Sequence, residues 1–289
     1  MNNSRVKQTL IIAILVAVLL PLGGCLVNED SDTRTTIYRT TDVVRPIVNG
    51  DFYDYRIVGN ITNSGGGGSS QFVTGTLTVE YNDDNSLPQP FGGALYPDRV
   101  IREDTTLTLG GAVYTTKRYI QQNMDGSLQV LAAKSGTELY RTGPADNDTG
   151  NLQPIVFLTS PVPLTGDTNI NFQYRQGCET LGDTTCASII TTINDTVVYR
   201  GNSTIDTDVG KFNSIVYEST GSISTTTPNI RLDFRGACSS SNATFYVQTY
   251  IFPEVGIVYY DYTCTAQDLS GLGYNFRAYL TNTNVPIPN

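Results

Sequence analysis

The sequence contains no histidine and no tryptophan, and its basic residues are scarce. Without histidine, the chain cannot form the Ser-His or Cys-His pairs that activate a nucleophile, and it cannot bind a metal ion through imidazole. It has 18 Lys and Arg against 27 Asp and Glu, a formal net charge of −9. Nucleic acids and anionic lipid head groups are bound by clustered basic side chains, so we expect neither as a partner.

Long apolar runs are also missing, with one exception near the N-terminus. Residues 9–22 form an apolar segment of about 14 residues that follows Arg5 and Lys7, whereas a membrane-spanning helix needs roughly 20. A basic start, a short apolar segment and small residues at its end are typical of a signal peptide. We expect residues 1–24 to be removed, which would take away two basic residues and leave a net charge of about −11.

The end of this segment carries a more specific pattern. Leu22-Gly23-Gly24-Cys25 resembles the lipobox of bacterial lipoproteins. The resemblance implies that the Cys25 thiol receives a diacylglycerol, that the chain is cut before Cys25, and that the new amine is acylated with fatty acids such as palmitate. The alternatives are an ordinary signal peptide with an unrelated cysteine and a transmembrane anchor.

The residue after Cys25 bears on the destination of the chain. One acyl chain binds a membrane only marginally, whereas two or more give stable anchoring. In enterobacterial lipoproteins an aspartate after the cysteine favours the inner membrane, and here that position is Leu26. The resemblance therefore implies an outer-membrane protein, held to the membrane by its lipid anchor, with the body facing either the periplasm or the cell exterior.

Four further cysteines lie in the second half of the chain: Cys178, Cys186, Cys238 and Cys264. The cell envelope is oxidising, so an even number of cysteines predicts two disulfides, with three possible pairings. Proximity in sequence favours Cys178–Cys186 and Cys238–Cys264. The alternative is a thiolate metal site, which is disfavoured because no pair has the spacing of a zinc knuckle. We therefore predict no metal site and no cofactor.

Residues 25–45 are polar and rich in threonine, and we predict that they form a tether behind the acylated cysteine. After the tether, no stretch shows helical periodicity, and alternating segments rich in β-branched residues and tyrosine recur. Residues 112–133 predict two strands around Asp125-Gly126, a common hairpin signal. Residues 243–252 and 256–264 predict a second pair, and the four glycines within residues 63–71 predict a loop. The fold class is therefore all-β, with curved antiparallel sheets arranged as a sandwich or half-barrel.

The two halves of the body share an order of short motifs. Gly50-Asp51 with its following aromatic residues is echoed at Gly166-Asp167, and similar echoes continue downstream. This order suggests an internal duplication. We predict two related sheet domains or halves, at residues 46–163 and 164–289, with both disulfides in the second.

The second half carries a further resemblance. Its segments GKFNSIVYES (210–219) and YIFPEVGIVYY (250–260) are similar to a pattern in uncharacterised bacterial lipoproteins, in which a G-x-F strand precedes P-x-V-G and an apolar strand. These proteins look like the curved antiparallel sheets of lipoprotein carriers such as LolA and LolB. The resemblance implies a curved sheet with an apolar groove and carries no catalytic residues.

Catalytic motifs are missing from the mature chain, which has neither a G-x-S-x-G elbow nor an S-x-x-K motif. Adjacent acids such as Glu103-Asp104 and Asp83-Asp84 would point to opposite faces of a strand, and we interpret both pairs as solvated turns. The acidic segments at 81–86 and 146–151 are interpreted as Asx-rich turns rather than calcium loops. We therefore predict a protein that is not an enzyme.

Two classes of function fit these features. The first is an envelope lipoprotein that binds or carries an apolar or glycan ligand. The second is a structural or adhesive subunit that binds another envelope or surface protein. A carrier should have an apolar face that its core does not use, whereas an adhesive protein should expose tyrosine.

Overall fold

The computed structural model describes residues 45–63, 69–84, 100–123, 127–144, 155–158, 167–176, 188–226, 241–266 and 272–287. These residues belong to one compact unit, Thr36–Asn289. The predicted signal peptide, Cys25 and nearly all of the tether lie outside the described residues. So do the glycine run at 65–68 and the acidic segment at 146–151.

Strands make up almost all of the described chain. Among the described residues, no helix is long and apolar enough to cross a membrane. The strands are β1 (Phe52–Asn63), β2 (Ser70–Asp83), β3 (Val100–Leu109), β4 (Ala112–Gln122), β5 (Leu128–Ser135), β6 (Glu138–Pro144), β7 (Ile155–Leu158), β8 (Asp167–Gln176), β9 (Ser188–Thr207), β10 (Gly210–Thr225), β11 (Asn242–Phe252), β12 (Gly256–Ala266) and β13 (Leu272–Thr283).

The strands form a closed antiparallel barrel. Neighbours follow the order β4-β3-β2-β1-β13-β12-β11-β10-β9-β8-β6-β5, and β4 also pairs with β5, which closes a ring of 12 strands. The short strand β7 pairs with β5 beside this ring. The predicted all-β antiparallel fold is confirmed, and the sheet closes on itself where the sequence indicated a sandwich or half-barrel.

Both predicted halves contribute strands to this one barrel. Strand β6 of the first half pairs with β8 of the second, where Tyr140 lies opposite Gln176. Strand β1 pairs with β13 over most of its length, where Ile57 lies opposite Ala278. The sheet is thus continuous across the predicted boundary near residue 163, and the internal duplication stays a prediction.

The predicted hairpins are present. Strands β4 and β5 pair antiparallel, with Gln122 opposite Leu128. Strands β11 and β12 pair antiparallel around the turn at residues 253–255, with Phe252 opposite Gly256. In both cases the alternating apolar pattern and the turn residues lie close together in sequence, which makes hairpins the most accessible part of the fold to sequence reasoning.

Side chains alternate between the inside and outside of the barrel, as a pleated strand requires. Along β3 every second residue is buried, including Ile101 and Leu107. The buried residues of nearly every strand of the ring join one apolar cluster. Aromatic rings fill much of it: Phe212 packs on Phe252 at 5.3 Å between ring centroids, and Tyr262 on Phe276 at 4.8 Å.

The first described residues, Arg45–Asp51, lie against one end of the barrel, and we call them the N-terminal strap. The Arg45 amide donates to the Pro253 carbonyl in the β11–β12 turn at 2.9 Å. The Gln122 side chain at the end of β4 accepts from the amide of Ile47 at 2.8 Å. Strap residue Gly50 donates to the Tyr81 carbonyl of β2 at 2.7 Å. The strap therefore connects three separate regions of the barrel.

Gly256, in the P-x-V-G motif singled out in the sequence, has two reasons to be glycine. Its φ of +126° lies in a region that side chains rarely adopt. A Cβ at this position would also approach the Tyr53 ring to 3.2 Å or less. That ring is fixed because the Tyr53 hydroxyl donates to the Val255 carbonyl at 2.7 Å. The turn and the barrel interior thus constrain the same residue.

We expect Gly256→Ala to lower the free energy of unfolding by about 2–3 kcal/mol, since backbone strain and contact with Tyr53 add together. Gly136→Ala is the matched control, because Gly136 also has a positive φ (+60°) but no heavy atom within 4 Å of a Cβ. That substitution should cost about 1 kcal/mol. Urea unfolding followed by circular dichroism measures both, and equal losses would contradict the role assigned to the Tyr53 contact.

Candidate binding surface

Most of the predicted site residues cannot be placed, because Cys25, Cys178, Cys186 and Cys238 lie outside the described residues. Cys264 is described: it lies on β12, faces the barrel interior and is buried. It lies opposite Phe245 on one side and Tyr274 on the other. That Cys264 forms a disulfide stays a prediction. The identity of its partner, and the second disulfide, stay predictions.

An ion pair lies inside the barrel. Three residues are direct neighbours across β2, β3 and β4: Tyr81, Glu103 and Arg118. The Arg118 guanidinium contacts Glu103 Oε1 at 2.6 Å, and the Tyr81 hydroxyl lies 3.3 Å from Glu103 Oε2. Because both charged residues are buried, removing either would leave an unpaired charge in the core, so the pair must persist in the folded state.

Three more tyrosines surround this ion pair. Tyr53 packs edge-on against Tyr81 with ring centroids 6.0 Å apart, and Tyr55 packs against Tyr260 at 5.5 Å. The Tyr55 hydroxyl donates to the Ile257 carbonyl at 2.7 Å. Burial raises the pKa of all four phenols, and the negative charge of Glu103 adds to the rise for Tyr81 and Tyr260.

The interpretation of the adjacent acids as solvated turns was wrong. Glu103 and Asp104 lie within β3 and face opposite sides, as an extended strand requires, so that Glu103 is buried. Asp83 ends β2, and Asp84 is buried and accepts a hydrogen bond from Arg102 at 2.8 Å. The error arose because short polar runs look alike in turns and in strands whose inner face carries an ion pair.

We expect the barrel to lose stability above pH 10. A phenol whose pKa is raised by folding stabilises the folded state below the unfolded pKa of about 10, and that contribution is lost as the pH rises. Tyr55→Phe should cost about 1 kcal/mol at pH 8 through the lost hydrogen bond. Because the variant lacks this phenol, the difference from wild type should shrink by about 1.4 kcal/mol per pH unit above pH 10. Urea unfolding at pH 8 to 11 measures this, and parallel pH profiles would contradict it.

The outer face of β11, β12 and β13 carries a row of tyrosines. Tyr250 lies opposite Tyr259, and Tyr259 opposite Tyr279, so the three side chains cross adjacent strands on one side of the sheet. Their ring centroids are 4.9 Å apart in both contacts, with the rings tilted edge to face. We call these residues the tyrosine row. The Arg56 guanidinium lies 5.2 Å from the Tyr279 ring centroid and extends the row onto β1.

A second row lies beside the first, two residues away along each strand. Gln248 lies opposite both Glu218 and Asp261, and Asp261 lies opposite Arg277. We call Glu218, Gln248, Asp261 and Arg277 the polar row. Because side chains two residues apart point the same way, the two rows share the outer face of the barrel.

The three rings of the tyrosine row differ in their exposure. Tyr250 and Tyr279 are half-buried on either side of the buried Tyr259, so the exposed aromatic area of the row comes from Tyr250 and Tyr279. Burial and the nearby Asp261 carboxylate raise the pKa of Tyr259, which keeps that phenol protonated. Within the described part of the chain, no three acidic or cysteine side chains come close enough to hold a metal ion.

Sequence reasoning did not find the tyrosine row. The 18 tyrosines indicated half-buried rings on strands, but the row depends on residues that are far apart in sequence. Tyr279 meets Tyr259 only because β12 and β13 pair in one register. The repeated tyrosines of residues 246–262 were the available signal, and the register of β13 was the missing information.

Comparisons with known proteins give two distant structural matches. No family model matches the chain, and no curated protein matches it. One solved structure is a "putative exported protein" with a YmcC-like fold from Bacteroides fragilis, with 10% identity and a TM-score of 0.39, covering 84% of this chain and 99% of that one. Another is a "putative lipoprotein" from Parabacteroides distasonis, with 11% identity and a TM-score of 0.33, covering 85% and 99%.

These names belong to the two matched proteins. At such identities and TM-scores, neither match transfers a ligand or an activity to this chain. The lipobox at Cys25 and the resemblance to lipoprotein carriers stay predictions from the sequence.

Proposed function

We propose that the chain is a non-enzymatic lipoprotein of the outer membrane, anchored through Cys25, that binds a glycan on the outside of its barrel. The tyrosine row carries this proposal, because it places the half-buried rings of Tyr250 and Tyr279, each packed on the buried Tyr259, beside a row of polar side chains. A sugar ring has apolar C–H faces and hydroxyls around its edge. Aromatic rings beside hydrogen-bonding groups match both parts of such a ligand.

The barrel interior gives less support to the carrier function expected from the sequence. Its large side chains pack against one another, as in the pairs Phe212–Phe252 and Phe172–Tyr174. The described side chains that face inward belong largely to one continuous apolar cluster. A carrier would need an apolar face left over by its own core, and the described interior uses its apolar residues to pack the fold.

The interior ion pair supports a structural role rather than a catalytic one. The Glu103 carboxylate is neutralised by Arg118 at 2.6 Å and lies near the Tyr81 hydroxyl. A general acid or base must reach a substrate proton, whereas Glu103 is buried beneath packed tyrosines. The absence of histidine from the chain agrees with a function in binding.

A subunit that binds another envelope protein is the second candidate. Tyrosine and arginine are enriched at the centres of protein interfaces, and the outer face has both. The glycan is favoured because the described charges of this face are already paired within the chain, for example Arg277 with Asp261 at 3.3 Å. A protein partner recognised by charge complementarity would need charged side chains on this face that are not already paired within the chain.

Lipid anchoring is tested by substitution at Cys25. We expect Cys25→Ser to abolish incorporation of labelled palmitate and to shift the protein out of the membrane fraction, because the thiol is the site of lipid attachment. The matched control is Leu26→Asp, which keeps the thiol. In a host with enterobacterial sorting it should stay labelled and move to the inner membrane. Continued labelling of the Cys25→Ser protein would contradict the assignment.

Glycan binding is tested with the purified lipoprotein in detergent on an array of neutral, amino and acidic saccharides. We expect Tyr250→Ala to weaken binding to any positive saccharide by about tenfold, the loss typical of a central aromatic contact. Tyr250→Phe should keep most of the affinity, since the ring remains.

Phe72→Ala is the matched control for this experiment. Phe72 is 67% exposed and lies on β2, two strands from β13 in the sheet order. The Phe72→Ala variant should bind saccharides as tightly as the wild-type protein does. No binding to any saccharide would refute the glycan assignment. Equal losses in the Tyr250→Ala and Phe72→Ala variants would refute its location.

A further inference from the structure

The charges around the tyrosine row cancel in local pairs. Arg200 contacts Glu218 at 2.6 Å, and Arg277 contacts Asp261 at 3.3 Å. At the end of the row, Arg56 contacts Asp208 at 3.2 Å. Three arginines thus face three carboxylates, so these three pairs present hydrogen-bonding groups without a net charge.

Glu218 already accepts hydrogen bonds from Arg200, from the Tyr246 hydroxyl at 3.1 Å and from Gln248, and further acceptor positions remain on the carboxylates of the polar row. The hydrogen bond from Arg200 lowers the pKa of Glu218, which keeps it ionised at neutral pH. Each carboxylate has about four acceptor positions, and Arg277 contacts Asp261 through Oδ2. Gln248 lies between the two acids and can both donate and accept.

The two rows are spaced for one ligand. Adjacent residues of a strand rise about 3.3 Å, so rows two residues apart lie about 7 Å from each other. A ring lying on the tyrosines would have one edge directed toward the polar row. The tyrosines are held by their mutual contacts and by Arg56, so little side-chain entropy would be lost on binding.

We infer that this surface binds a neutral, hydroxyl-rich saccharide, with the sugar's C–H face on the tyrosine row and its hydroxyls donating to Glu218 and Asp261. The inference rests on the proposed glycan-binding function and adds the class of sugar and its orientation. Acidic saccharides are disfavoured because Arg200 and Arg277 already pair with carboxylates of the chain, so a uronate would gain no unpaired cation on a chain whose formal net charge is −9.

The test uses pairs of oligosaccharides that differ only in charge. The probes are glucan and glucuronan, mannan and mannuronan, and galactan and galacturonan oligomers of equal length and linkage. Within each pair a hydroxymethyl group is replaced by a carboxylate. Binding is measured by isothermal titration with the full acylated protein in detergent at low and physiological salt. We expect the neutral member of any binding pair to bind at least about tenfold more tightly.

Variants of the polar row then locate the hydroxyl contacts. Asp261→Asn and Glu218→Gln keep side-chain size and should each weaken binding of the neutral sugar about tenfold, since a hydrogen bond to a charged acceptor becomes one to a neutral acceptor. The double variant leaves Arg200 and Arg277 without their carboxylates, so it should bind the uronate more tightly than the neutral sugar. Glu80→Gln removes the same charge from an exposed position on β2 and should preserve the wild-type preference.

The outcomes separate the two proposals. If the wild-type protein binds none of these saccharides and none on a wider array, the glycan function itself fails. If it binds a uronate more tightly than its neutral partner, the glycan function stands and this inference fails. If the neutral sugar binds equally well to wild type and to both single variants, the polar row is not the hydroxyl site. Unfolding temperatures within about 2 °C of wild type confirm that the variants are folded.

Discussion

The pairing of β4 with β5 is the constraint on which the rest of the structure depends. Without it, the strands would form an open sheet with β4 at one edge. With it, the ring closes, and every strand of the ring gains an inner and an outer face. The pairing of β4 with β5 is irregular, because its register shifts between Tyr119 and Ile120. That shift lets Ile120 enter the main core while Tyr119 packs in a separate cluster with Leu131.

Closure of the barrel also explains why polar side chains can be buried beside the β4–β5 pairing. Arg118 lies on β4 next to the register shift, and its partner Glu103 lies on the neighbouring strand. In an open sheet the pair would be solvated and of small energetic value. Inside the barrel it is desolvated and is enclosed by tyrosines that hydrogen-bond to backbone carbonyls, as Tyr53 does to Val255. The same closure places Tyr259 and Tyr279 on the side of the sheet opposite the buried Tyr260 and Leu280.

Local features of the fold could be predicted from the sequence, whereas non-local ones could not. The hairpin of β11 and β12 was accessible because its strands and turn are contiguous. The pairing of β1 with β13 joins residues more than 200 positions apart, and alternation alone does not say which edges meet. Glu103 was interpreted as solvated because its partner Arg118 is defined only by the register. The outer binding surface was missed for the same reason, since Tyr250, Tyr259 and Tyr279 meet through two such registers.

The N-terminal strap is held against the barrel by contacts outside the strand ladders. A pull on the chain ahead of Arg45 first reaches the hydrogen bond to Pro253 and the ion pair with Asp51, which is 2.7 Å long. The next contact along the chain is the hydrogen bond from the Ile47 backbone amide to Gln122 Oε1. These contacts lie outside the strand ladders, so they can rupture and re-form while the closed sheet stays intact. Along the chain, the hydrogen bonds and the ion pair of the strap therefore precede the first strand ladder of the barrel.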